Sequence, residues 1–154
     1  MATAADIVVT APDSTEVKLV VETKLRLRSV GDAEGQLKQY MWLVKCPLGL
    51  IVTPETIFIY RDTYTSPTPA TIERVGQYET RAVMDFRPQE DSQGSRAFAF
   101  EIAVQGWIES IVQTDFDLMS IKDPELRRVM AGTVLPAIQF GVVRAAGPRS
   151  AQFR

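Results

Sequence analysis

The chain has 154 residues, 45% of them hydrophobic and 23% charged, with a net charge of −2. That is the usage of one soluble globular domain over 1–154, with no overall basic bias toward nucleic acid. The absence of histidine and the single cysteine, Cys46, exclude Ser-His-Asp and Cys-His catalysis, histidine metal sites, an intramolecular disulfide and a cysteine zinc cluster.

In chain order, Asp6-Ile7-Val8-Val9 and Val20-Val21-Glu22-Thr23-Lys24 read as strands, being rich in valine and isoleucine and separated by Pro12-Asp13-Ser14-Thr15. Residues 5–11 and 17–28 are expected to form a hairpin centred near Ser14. Asp32 is a candidate N-cap for a helix over 33–45, where Leu37, Tyr40, Met41 and Val44 make an amphipathic stripe. Pro47 and Gly49 punctuate its end, and strands follow at 48–53 and 56–61, split by Pro54-Glu55. Ser66-Pro67-Thr68-Pro69 marks a surface loop, residues 72–75 a strand, residues 78–85 a short helix, and residues 87–95 a polar loop.

Residues 96–113 form the longest helix candidate, with Phe100, Val104, Trp107, Ile108 and Ile111 on one side. Asp123-Pro124 reads as an N-cap with proline in the first turn, opening a helix to Gly132 or Leu135. A last strand is expected near 140–144. Trp42 and Trp107 are expected in the core. No apolar run reaches about 18 residues, so no membrane span is expected. The N-terminus lacks a signal-peptide pattern, and the expected location is the cytoplasm.

The hairpin register carries the chemistry. A turn centred near Ser14 sets Asp6 opposite Glu22, and Lys24, two residues on, points to the same face. Two carboxylates and a lysine at one end of a hairpin can hold a divalent cation through hard oxygens and keep a cation beside a phosphate. Asp13 is a rival carboxylate, but it lies at the turn, about 30 Å along the strand from Glu22. It is better read as a turn residue after Pro12. Lys24, Arg26 and Arg28 form a basic row at alternating positions, which is also what a solvated strand edge looks like. With no histidine or paired cysteine, a metal here would rest on carboxylates and carbonyls, which favours Mg²⁺ or Mn²⁺.

Asp6, Glu22-Thr23-Lys24 and the following Gln36-Leu37-Lys38-Gln39-Tyr40 resemble the PD-(D/E)XK nuclease superfamily, the restriction-endonuclease-like fold. The resemblance covers residues 5–62. It implies an α/β domain with a mixed central sheet flanked by helices. It also implies Mg²⁺- or Mn²⁺-dependent hydrolysis of nucleic acid, DNA rather than RNA. The metal ligands would be Asp6, Glu22 and the Thr23 carbonyl. Lys24 would orient the attacking water, and Gln36 would contact a metal-bound water or a phosphate.

Family members usually carry a helix before the first core strands, often with another acidic residue, and only five residues precede Asp6 here. The exposed sheet face is then covered either by helix 96–113, offering Glu101 or Glu109, or by a second copy of the chain in a homodimer. The surplus apolar area of Phe98, Phe100, Trp107 and Ile108 points to the second. The alternative function, from another class, is a non-catalytic nuclease-like module for binding or assembly. On that reading Glu22 and Lys24 are an ordinary surface pair worth about 0–1 kcal/mol, and Gln36 and Tyr40 a contact along a helix surface.

Overall fold

Valine-rich segments at 7–10 and 17–23 pair as expected. β1 (Ile7–Thr10) and β2 (Val17–Thr23) run antiparallel, with Ile7 opposite Val21, Val8 opposite Val20 and a bulge between Val9 and Thr10. The structure, a computed structural model, describes residues 5–65, 67–87 and 93–146, with the side chains of 93–95 left aside. After β2 the chain crosses over through α1 (Val30–Val44) and returns as β3 (Leu48–Val52), parallel to β2. β4 (Thr56–Asp62) and β5 (Ile72–Glu79) extend the sheet antiparallel on one side, and β6 (Val142–Ala145) joins β1 on the other. The result is a six-stranded mixed sheet in the order β5-β4-β3-β2-β1-β6.

Alternation along each strand divides the core into two. Val8, Val20, Ile51, Phe58 and Tyr60 meet Ala33, Leu37 and Met41 of α1. Ile7, Val9, Leu19, Val21, Leu50 and Ile59 meet Phe100, Val104, Trp107 and Ile108 of α2 (Gln93–Ile111), together with Leu126, Met130 and Ile138. Because helices cover both faces, the central strands read as continuous apolar runs. Gly49 lets α1 lie close to β3: a Cβ there would stand 2.6 Å from Met41 Sδ and 3.1 Å from Leu37. Phe100, Trp107 and Ile108 are thus buried within the chain. α2 supplies the cover for which a second copy was the other candidate.

Several boundaries differ from the expectations. α1 starts at Val30 because Ser29, not Asp32, is its N-cap; the Ser29 hydroxyl accepts from the Asp32 N–H at 3.1 Å. β2 ends at Thr23, so Lys24, Arg26 and Arg28 are not a strand row. The Lys24 N–H still reaches Val52 O at 3.0 Å, then Leu25 and Leu27 turn into opposite core clusters and pull the chain off the sheet. β5 runs to Glu79, which leaves of the helix expected at 78–85 a 3₁₀ turn over Thr80–Ala82; Tyr78 pairs with Ile57, and Thr80 is anchored to Thr53 O by its hydroxyl at 2.7 Å. Trp42 is 40% exposed, its indole N–H reaching Pro67 O at 3.2 Å, rather than in the core. Ser66 and residues 88–92, parts of the expected loops, lie outside the described residues.

Asp123 caps α3 (Pro124–Val129) as expected, accepting from the N–H groups of Glu125 and Leu126. The helix then widens through a π turn (Met130–Val134) and continues as α4 (Leu135–Ile138), past the expected end. Pro136 explains the wide turn, because a proline has no N–H for the preceding carbonyls and its ring crowds them. Among the described residues no helix is long and apolar enough to cross a membrane.

Candidate functional site

The C-terminal end of β2 brings together Asp6, Glu22, Thr23 and Lys24. Asp6 stands one step before the Ile7–Val21 pair, which brings it beside Glu22 and Thr23. It does not continue the ladder as a regular residue. Its N–H donates to Val21 O at 3.0 Å, while Thr23 donates both its N–H, at 2.8 Å, and its hydroxyl, at 3.2 Å, to Asp6 Oδ2. A side chain thus takes the place of the next backbone partner. Alternation puts Thr23 on the face of Val21 and Glu22 on the face of Val20. The two bonds tie the Asp6 carboxylate to Thr23, the residue next to Glu22, and the chain bends at Asp6.

Glu22 is 5% exposed, and its Oε2 has no hydrogen-bond partner among the described residues. Burial raises its carboxyl above the ordinary range; the Lys24 ammonium pulls the other way and the Asp6 charge adds to the rise. All three charges are therefore within electrostatic range of one another. Lys24 is half-buried just past the end of β2 and makes no ion pair among the described residues. A buried carboxylate oxygen without a donor is costly unless a cation or proton meets it.

Gln36 is on α1 but exposed, with no hydrogen bond to Asp6, Glu22 or Lys24. At about 100° per residue it lies on the flank of α1 away from Glu34, whose carboxylate is tied to Tyr60 and Arg74 over β4 and β5. Glu101 and Glu109 belong to α2, which packs on the other face of the sheet from Glu22. Among the described residues no group of three or more Asp, Glu, His or Cys side chains is placed to hold a metal ion. The donors at hand are the Asp6 and Glu22 carboxylates. Their chemistry, hard oxygen with an orphaned buried atom, suits Mg²⁺ or Mn²⁺ rather than a softer metal.

Sequence reasoning missed two features. One is the role of Thr23, whose side chain and amide orient Asp6. The other is a cleft of about 490 Å³ next to the β2 end, lined by Leu25, Arg26, Leu27, Val30, Thr53, Glu55, Thr56 and Phe58. Its walls come from segments about 25 residues apart that only the β2–β3 pairing brings together. No periodicity in the sequence could have marked it. No protein-family model, no curated protein and no solved structure matches the chain.

Proposed function

We propose that the chain is a metal-dependent nuclease of the PD-(D/E)XK kind, hydrolysing phosphodiester bonds in nucleic acid, DNA in preference to RNA. The observation that carries this reading is Glu22: a carboxylate buried at the end of a strand, one oxygen unpartnered, with Asp6 and Lys24 beside it. A buried carboxylate oxygen without a donor is costly, and a bound cation would offset that cost. The order of elements, a hairpin followed by a helix and a strand parallel to its second arm, is in keeping with a restriction-endonuclease-like core.

Asp6 and Glu22, with the Thr23 carbonyl, would hold Mg²⁺ or Mn²⁺. The ion would supply positive charge against the phosphoryl oxygens of the substrate. Thr23 fixes the Asp6 carboxylate so that it need not reorganise on binding. Lys24 orients the attacking water and offsets the negative charge that grows on the phosphorus oxygens. Gln36, exposed on α1, is left for contact with a phosphate. A C₂ pair of chains would present two such centres to a duplex.

The test is cleavage of labelled DNA and RNA with Mg²⁺ or Mn²⁺, against Asp6→Ala, Glu22→Ala and Lys24→Ala. Each variant should lose the activity while keeping its circular-dichroism spectrum, and Ca²⁺ should permit binding without turnover. Cutting by Glu22→Ala at the wild-type rate would sink the proposal. A sedimentation mass of 17.1 kDa under cutting conditions would remove the paired arrangement.

A second reading, a non-catalytic nuclease-like module, is favoured by the small donor set, two carboxylates without a third acidic group among the described residues, and by the net charge of −2. Nucleic-acid binding unaffected by Mg²⁺ and without cleavage would select it.

A further inference from the structure

The cleft beside the β2 end has features the proposed chemistry does not use. It begins where the candidate centre stops: Leu25 and Arg26 follow Lys24 directly, and Thr53 follows Val52, the partner of Thr23 across the β2–β3 pair. Its apolar lining is Leu27, Val30 and Phe58, all of the cluster under α1, and Leu25, which packs into the opposite cluster. Two exposed residues of opposite charge, Arg26 and Glu55, also line it, and neither makes an ion pair with the other or with any described residue.

The wall that bears Glu55 is preformed. The Thr53 hydroxyl accepts from the N–H groups of Glu55 and Thr56, at 3.2 and 2.9 Å, and Thr80 N–H holds Glu55 O at 3.1 Å. The cleft opens broadly to solvent, and its volume of about 490 Å³ falls within the range of small-molecule sites.

We propose that this cleft is a nucleobase subsite, taking the guanine of the nucleotide next to the phosphodiester at Glu22 and Lys24. A base is flat and apolar on its faces and polar at its edge, which matches a lining of leucine and valine with charged lips. Guanine offers N7 and O6 as acceptors for the Arg26 guanidinium, and N1–H and an amino group as donors for the Glu55 carboxylate. The Phe58 ring is not a free stacking platform, because the Arg74 guanidinium already lies 5.2 Å from its centroid. Phe58 is also only 5% exposed, so contact with the base falls to the aliphatic side chains. The location of the subsite relative to a phosphate rests on the nuclease reading, whereas base recognition by the cleft does not.

The experiment is calorimetric titration of the wild-type chain with deoxyguanosine monophosphate and with deoxyribose 5-phosphate, its base-free counterpart. The nucleotide should bind about tenfold tighter or more. Arg26→Ala and Glu55→Gln, both at exposed positions, should each erase most of that difference. Equal affinities for the two ligands, or a preference untouched by both Arg26→Ala and Glu55→Gln, would overturn the subsite. Base-dependent binding in a protein that cuts nothing would uphold the subsite and count against the nuclease. Cutting without base-dependent binding would do the reverse.

Discussion

Thr23 gives two hydrogen bonds to a single oxygen of Asp6, from its N–H at 2.8 Å and its hydroxyl at 3.2 Å. Oδ1 is left without a protein partner among the described residues. The pair fixes the carboxylate at the rim of the sheet and closes the end of the β1–β2 hairpin.

Removing the hydroxyl while keeping the shape isolates that role. Thr23→Val should cost about 0.5–1.5 kcal/mol, the net worth of one hydrogen bond, as a lower urea midpoint at unchanged slope. Thr23→Ser should restore most of it. If Asp6 is a ligand, Mn²⁺ binding followed by calorimetry should also weaken severalfold in Thr23→Val and recover in Thr23→Ser. Unaltered Mn²⁺ affinity would separate Thr23 from the site.

Glu22 sets a pH dependence of definite sign. Its carboxyl is raised by burial, against the pull of Lys24 and with the push of Asp6. A group raised above its unfolded value of 4.5 contributes stability that is fully present below that value and is lost as pH rises through the folded one. Glu22→Gln cannot ionise. It should therefore melt higher than wild type at neutral pH, by about 2–4 °C for each kcal/mol of relieved burial, and the gap should close in acid. A neutral-pH melting temperature at or below wild type would show that the charge is better solvated than its burial indicates.

A divalent cation should reverse the cost of that buried charge. Mg²⁺ or Mn²⁺ at about ten times its dissociation constant should stabilise the wild type by about 1.4 kcal/mol, or about 3–6 °C. Asp6→Ala and Glu22→Gln should show no such shift. Equal shifts in the variants would place the ion elsewhere.

On the other side of α1, Glu34 takes hydrogen bonds from the Tyr60 hydroxyl at 2.6 Å and from Arg74 Nε at 2.7 Å, all on Oε2. Desolvation pushes its carboxyl up, but the bonds from Tyr60 and Arg74 prevail and hold it below the ordinary range. Its sign is opposite to that of Glu22: the stability it contributes is present above the unfolded value and is lost as pH falls through the folded one. Glu34→Gln should therefore be less stable than wild type near neutrality, with the difference shrinking in acid. Tyr60→Phe should cost about 1 kcal/mol by urea titration. An acid profile of Glu34→Gln parallel to that of wild type would mean that the cluster does not titrate with folding.

Local pattern alone determined much of the architecture. The valine segments around Ser14 dictate the hairpin and its register, the stripe through Leu37 and Met41 dictates the buried side of α1, and Asp123-Pro124 dictates where α3 begins. Each of these depends on neighbours within a few residues, which a sequence displays directly. What only the tertiary structure decided depends on partners far along the chain. β2 stops at Thr23 because Leu25 and Leu27 find apolar partners on opposite faces of the sheet, an outcome that valine and lysine spacing does not contain. Asp6 leaves the ladder because Thr23 offers two donors to its side chain. Glu22 is buried with an orphaned oxygen at the end of β2, beyond its last pair with β1, and the adjoining cleft exists because β3 pairs with β2. Alternation names the face a residue prefers, but burial, bends and unpartnered atoms follow from contacts that form only when distant segments pack together.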